Sequence, residues 1–312
     1  MPSLDSTLSP RHLSSPQLNE ATDLAMPSLR CHCAATRAAT RRGFLGASAG
    51  FGALGLGAAL GLPGTAQAQV DVGKSSAMRN LVPAETLESA ATTQYHEMLA
   101  QAKAQGALAP DNFPQLIRIR AIAKRIIPFT TQWNSRAAQW RWEVNLIGSK
   151  QINAFCMPGG KIAFYTGIID QLKLTDDEIA MIMGHEMAHA LREHSREQLA
   201  KTQATNIGIR LGASLLGLGD LSTMAANLGG KLLTLKFSRS DEGEADLVGL
   251  ELAARAGYNP QASVSLWQKM GQASGDSGIG FLSTHPAGPD RIRELERAMP
   301  QVQALYRAAR KP

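Results

Sequence analysis

The sequence predicts an α+β fold, mostly helical, with a small antiparallel sheet. Three observations carry this. Apolar residues recur at helical spacing in several long stretches, as at Leu116, Ile122 and Ile126. A strand-like alternation at 140–147 is followed by two short apolar runs joined at Pro158-Gly159-Gly160. Two histidines four residues apart, His185 and His189, lie mid-helix in a segment without proline.

The chain of 312 residues opens with a leader. Thr40-Arg41-Arg42-Gly43-Phe44-Leu45 resembles a twin-arginine export signal, with Gly46 where Lys is usual. Residues 43–62 are uncharged and rich in Gly, Ala and Leu, and Ala66-Gln67-Ala68 offers small residues for cleavage. Residues 1–68 are therefore expected to be removed, leaving 69–312 as a single domain with a substantial core. The competing reading keeps 43–62 as a membrane anchor, since an uncharged run of this length can span a bilayer. Met26 is an alternative start. The leader holds Cys31 and Cys33, so the mature chain keeps Cys156 alone and no intramolecular disulfide can form. Cys156 reads as a small apolar strand residue. Five Arg against three acidic residues in 1–68 lower the net charge from +6 to +4, which demands no nucleic acid.

Helices are expected at 84–106 and 113–127, ending before Pro128. The second carries Arg118, Arg120, Lys124 and Arg125, read as a solvated amphipathic face, with peripheral contact to anionic lipid as the alternative. In the strand at 140–147, Trp140, Trp142, Val144 and Leu146 share one face. The hairpin 151–157/161–166 is either purely structural or offers an edge to which an extended peptide adds.

Thr175-Asp176-Asp177-Glu178 is a capping box and starts the next helix. Within it, His185-Glu186-Met187-Ala188-His189 matches the HExxH signature of zinc hydrolases. Residues four apart share a helix face, so both imidazoles can reach one ion. Glu186 lies about 100° further round, beside the ion, placed as a general base toward water. Zinc makes water acidic near neutral pH and thus nucleophilic. His194, nine residues after His185 on a continuous helix, points away and reads as a surface or second-face residue. Arg192 and Ser195 stand where the long metzincin form needs Gly and His. The third ligand must then lie elsewhere.

Residues 203–237 are apolar and Gly-rich around Asp220, with no uncharged run long enough to span a membrane. They form either a helical pair over the site or a membrane-facing surface. A helix is expected from Ser240 to Gly257. Glu242 is the favoured third ligand, because a His-His-Glu site needs one carboxylate from outside the first helix. Asp246, one turn on, can fix a ligating histidine through its free N–H. Asp241 reads as a first-turn acid satisfying the macrodipole, and Glu244 as pointing to solvent. Residues 271–283, rich in Gly and Ser, should form a mobile loop leading to Thr284-His285-Pro286, before a last helix from Pro289 through Met299.

Three segments together resemble the HtpX-like zinc metallopeptidases, a family that includes the CAAX prenyl endopeptidases and several bacterial envelope proteases. They are Asn153-Ala154-Phe155-Cys156-Met157-Pro158-Gly159-Gly160, Gly184-His185-Glu186-Met187-Ala188-His189 and Glu242-Gly243-Glu244-Ala245-Asp246. The resemblance spans about residues 80–300 and is nearest the soluble periplasmic members. It implies a compact gluzincin fold, one zinc ion on His185, His189 and Glu242, and Glu186 as base. By the same analogy the substrates are unfolded or misassembled envelope proteins. In those proteases a His-Pro in this region can sit over the zinc. His285 is accordingly either a removable fourth ligand that keeps the enzyme latent or a residue capping the last helix. A peptide-binding chaperone of the periplasm and a membrane-tethered protease are the rival functions. The sequence sets no oligomeric state.

Overall fold

The described part of the chain begins with a segment pinned onto a helix far along the sequence. Val70 is buried, and its N–H donates to Glu251 Oε2 at 2.6 Å. The computed structural model describes residues 70–202, 232–233, 235–273, 280–285 and 289–312. The leader and most of the 203–237 segment lie outside the described residues.

Helix α1 (Ala84–Ala104) buries Leu87, Ala91, Tyr95 and Ala102, a stripe at helical spacing. Helix α2 (Pro114–Ile126) starts with proline at its first position, where the missing N–H costs nothing. It buries Leu116, Ile119, Ile122 and Ile126, whereas Ile117 is more than half exposed. Its basic face is not simply solvated, as expected from sequence. Arg118 donates to Leu174 O (2.9 Å), Arg120 to Val144 O (3.0 Å) and Arg125 to Ala256 O (2.8 Å). These guanidinium groups satisfy main-chain carbonyls that would otherwise depend on water.

The sheet has three strands, β1 (Glu143–Ile147), β2 (Ala154–Met157) and β3 (Lys161–Tyr165), in the order β1-β3-β2. β2 and β3 form the expected antiparallel hairpin, with Phe155 opposite Ala163. Gly159 and Gly160 turn it with φ of 82° and 75°. β1 departs from the expected antiparallel sheet: it pairs with β3 in parallel, Val144 opposite Ile162. The hairpin already occupies one edge of β3. The chain from β1 must pass through residues 148–153 to reach β2, so β1 takes the other edge running the same way as β3. β2 is therefore an edge strand. A short helix α3 (Thr166–Gln171) follows.

Helix α4 (Asp176–Leu191) begins at the predicted capping box, Thr175 with Glu178, and is buried from Glu178 onward. Helix α5 (Arg239–Arg255) starts slightly earlier than expected, because Ser238 and Asp241 form its own capping box. It ends before Gly257, whose φ of 91° suits only glycine well. α4 and α5 cross backbone to backbone. A Cβ on Gly184 would lie 2.5 Å from Gly249 O, and one on Gly249 2.5 Å from His185 N. Helices α6 (Ala262–Ala273), α7 (Gly280–Thr284) and α8 (Pro289–Ala308) complete the fold. The expected loop at 271–283 is thus helical at both ends, and residues 274–279 lie outside the described residues. The core runs between α2, the sheet and helices α4, α5, α6 and α8, with Ile162, Phe164, Ile182, Leu252 and Met270 among its members. No helix among the described residues is long and apolar enough to cross a membrane.

Candidate metal centre

The α4–α5 crossing places two helix faces within ligand distance of each other. α4 brings His185 and His189 together, Nε2 to Nε2 at 3.1 Å. α5 presents Glu242, whose carboxylate oxygens lie 3.5 Å from His185 Nε2 and 3.6 Å from His189 Nε2. His285, just after α7, adds a fourth donor: its Nδ1 is 3.0 Å from Glu242 Oε1 and 3.3 Å from His185 Nε2. All four residues are buried.

These spacings test whether an ion fits. Four donors held tetrahedrally at about 2.0–2.1 Å from zinc lie about 3.3–3.4 Å apart. The observed range of 3.0–3.6 Å brackets that value. Nitrogen lone pairs and a carboxylate converging in this way suit zinc, whereas calcium and magnesium prefer oxygen donors. Glu186 is not among these four donors. It is 2% exposed, its Oε1 has no hydrogen-bond partner, and it lies 3.5 Å from His285 Nε2. Burial raises its pKa, the direction that suits a base working near neutral pH. The Cys156 N–H on β2 donates to its carboxylate. Cys156 itself is a free, buried strand residue whose thiol burial pushes well up.

Asp246 Oδ1 lies 3.0 Å from His185 Nδ1. Burial alone would lower the His185 pKa, but Asp246 and Glu242 outweigh it and raise it to about 9. Burial and the neighbouring cations push His189 well below its ordinary value.

Sequence reasoning missed one residue and misplaced two. Arg291, in the first turn of α8, grips Asp246 with Nε at 2.6 Å and Nη2 at 2.7 Å. Its Nη1 lies 2.8 Å from Glu242 Oε2, and its guanidinium stacks 3.8 Å over Trp267. The available signal was a cation at a helix N-terminus, where the macrodipole disfavours it. His194 is neither on the surface nor turned away. α4 stops at Leu191, Glu193 takes a left-handed φ of 60°, and a new helical stretch begins at 194. The break swings buried His194 back, so its Nδ1 lies 2.9 Å from His189 Nδ1. Glu244 does not point to solvent either: Arg192 Nε donates to its Oε2 at 2.8 Å. Asp241 keeps its expected first-turn role as the capping partner of Ser238.

A cleft opens on the donor cluster, lined by Ala154, Phe155, Cys156, Glu186, Phe237 and His285 among others. One wall is thus the outer edge of β2.

The comparisons with known proteins agree with this chemistry. The model of the family described as Peptidase family M48 matches residues 117–299. The mitochondrial metalloendopeptidase OMA1 of Schizosaccharomyces pombe is 37% identical over 199 residues, 63% of this chain and 56% of that protein. The metalloprotease LoiP of Escherichia coli is 30% identical over 154 residues, 48% of this chain and 60% of that protein. The Beta-barrel assembly-enhancing protease of Yersinia pestis is 27% identical over 182 residues, 54% of this chain and 37% of that protein. The chain therefore spans little more than half the length of the first of these relatives. On the family match and the converged donor set, the chain belongs to peptidase family M48, whose members are zinc metallopeptidases.

Proposed function

We propose that the chain is a zinc-dependent endopeptidase in which His185, His189 and Glu242 hold the ion and Glu186 is the general base. The observation that carries this is the convergence of four buried donors, whose ligand atoms all lie within 4.8 Å of one another, with the buried carboxylate of Glu186 beside them. Zinc, when bound, supplies Lewis acidity toward water and the scissile carbonyl. Glu186 takes the proton from the attacking water and returns it to the leaving nitrogen. Its raised proton affinity, caused by burial, supports both transfers. Asp246 holds His185 through Nδ1, leaving Nε2 free to ligate. The outer edge of β2 receives the substrate as an added strand, which gives sequence-tolerant binding.

His285 is read as a removable fourth ligand. It sits among the donors directly after the five-residue helix α7. While it stays there it occupies the position that water needs. If the latch is real, His285→Ala should raise peptidase activity at unchanged zinc content. Unaltered turnover would sink the latch and leave the peptidase reading intact.

The finer assignments follow the same reading. The protein is a bacterial envelope protease of the soluble periplasmic branch, its residues 1–68 a twin-arginine-type leader and 69–312 one catalytic domain. Its substrates are unfolded or misassembled envelope proteins, and it binds no nucleic acid. The name of one relative, a beta-barrel assembly-enhancing protease, supports an envelope role. Glu186→Gln tests the core of the proposal. Zinc should stay bound at one ion per chain while casein proteolysis disappears. Retained proteolysis would refute the mechanism.

A further inference from the structure

We propose that His194 is a positioning residue for His189, the terminus of a second orienting chain that runs Arg192–Glu244–His194. This rests on the reading above in that His189 is taken to ligate through Nε2. That nitrogen is the one facing His185 and Glu242, so it must present a lone pair. The ring's proton then sits on Nδ1, and its partner there is His194 Nδ1 at 2.9 Å. An N–H can donate only to a nitrogen that carries none. His194 must therefore hold its own proton on Nε2, which faces Glu244 Oε2 at 3.4 Å. Arg192, from the C-terminal end of α4, fixes that carboxylate through Nε at 2.8 Å.

Each element of this chain is needed for a geometric reason. His189 and His194 are both buried, so neither can turn to water for its second nitrogen. Phe237 stacks on the His189 ring at 4.0 Å between centroids and 23° between planes, which limits tilting but leaves rotation in the ring plane unopposed. The bond to His194 supplies the missing restraint. His194 reaches that place only because Glu193 is left-handed. On a continued helix it would project to the far side of α4. The arrangement parallels the other ligand, where Arg291 holds Asp246 and Asp246 holds His185. One histidine is oriented by a carboxylate and the other by a neutral imidazole. Outer partners of this kind typically control about 10–100-fold in metal affinity.

Two variants separate positioning from packing. In His194→Asn, the side-chain oxygen can take nearly the place of Nδ1 and accept from His189. His194→Leu keeps bulk and removes the acceptor. Zinc affinity is measured by chelator competition, with the amide NMR fingerprint as the check on folding. His194→Leu should bind zinc about 10–100-fold more weakly than the parent, and His194→Asn should recover most of that loss. Wild-type affinity in His194→Leu, or an equal loss in both variants, overturns the proposal. Imidazole ¹⁵N spectra of the parent provide a test that needs no variant. They should show His189 protonated on Nδ1 and His194 on Nε2, and the opposite His194 tautomer overturns the proposal. A parent chain that binds no zinc would instead defeat the zinc reading, while the tautomer measurement in that same sample still decides the His189–His194 bond.

Discussion

Arg291→Met isolates the electrostatic support of the site from its packing. Methionine retains an unbranched apolar stem that can still lie over Trp267, where the guanidinium now stacks at 3.8 Å. What disappears is the positive charge between two buried carboxylates, Glu242 at 1% and Asp246 at 6% exposure. Removing one partner of a buried ion pair costs about 3–5 kcal/mol, because the remaining charge is left uncompensated. For a domain of this size each kcal/mol moves the melting temperature by about 2–4 °C. The metal-free variant should therefore melt about 6–20 °C below the parent. Zinc supplies a counter-charge to Glu242, so the gap should narrow when both proteins are loaded. The assay is thermal unfolding followed by circular dichroism, with and without zinc. A metal-free variant melting within a degree or two of the parent would refute the claim that Arg291 neutralises this pair. A gap that does not shrink with zinc would refute the sharing of Glu242 between Arg291 and the ion.

Other outcomes follow from the helix crossing and the start of α4. Gly249→Ala puts a methyl group 2.5 Å from His185 N and 2.7 Å from Gly184 C, backbone atoms that cannot swing aside. It should cost about 1–3 kcal/mol by overpacking and weaken zinc binding as α5 carries Glu242 away from α4. Unchanged melting and unchanged zinc affinity together would show the crossing to be looser than it looks. Glu178 titrates below its ordinary value of 4.5. Burial opposes this, but Lys269 Nζ at 2.7 Å, the Thr175 N–H and Ser265 outweigh it. Its stabilisation is therefore complete above about pH 4.5 and is lost as pH falls through the lower folded value. Glu178→Gln should be less stable than the parent at pH 6, with a melting temperature that declines less on acidification. Parallel pH profiles would contradict this assignment.

How much of this was legible in advance depended on how local each feature is. The α4 capping box, the HExxH spacing and the Glu242–Asp246 pair were readable because each is set by residues within one or two turns of a single helix. Periodicity alone placed α1 and α2 to within two residues at each end. The parallel pairing of β1 escaped, because it depends on which edge of β3 the hairpin leaves free. The errors at His194 and Glu244 have different causes. His194 was placed by extending ideal helix geometry past Leu191, and Glu193 breaks that geometry with a left-handed turn that no residue type in the segment announces. Glu244 sits on an unbroken helix, and what covers it is Arg192 from a different helix, a meeting that periodicity cannot show.

By itself the sequence determined the chemistry on offer: two imidazoles and a base on one helix, a carboxylate with its aspartate on another, and a third histidine near the last helix. Those are consequences of helical repeat and residue type, which act over a few residues. Only the tertiary structure decided which of these groups meet. The Gly184–Gly249 contact lets α4 and α5 approach closely enough for Glu242 to join His185 and His189. α7 delivers His285 into the same cluster, and α8 inserts Arg291 between the two carboxylates. Those meetings join residues from 43 to 100 positions apart, and they depend on packing that no local pattern encodes.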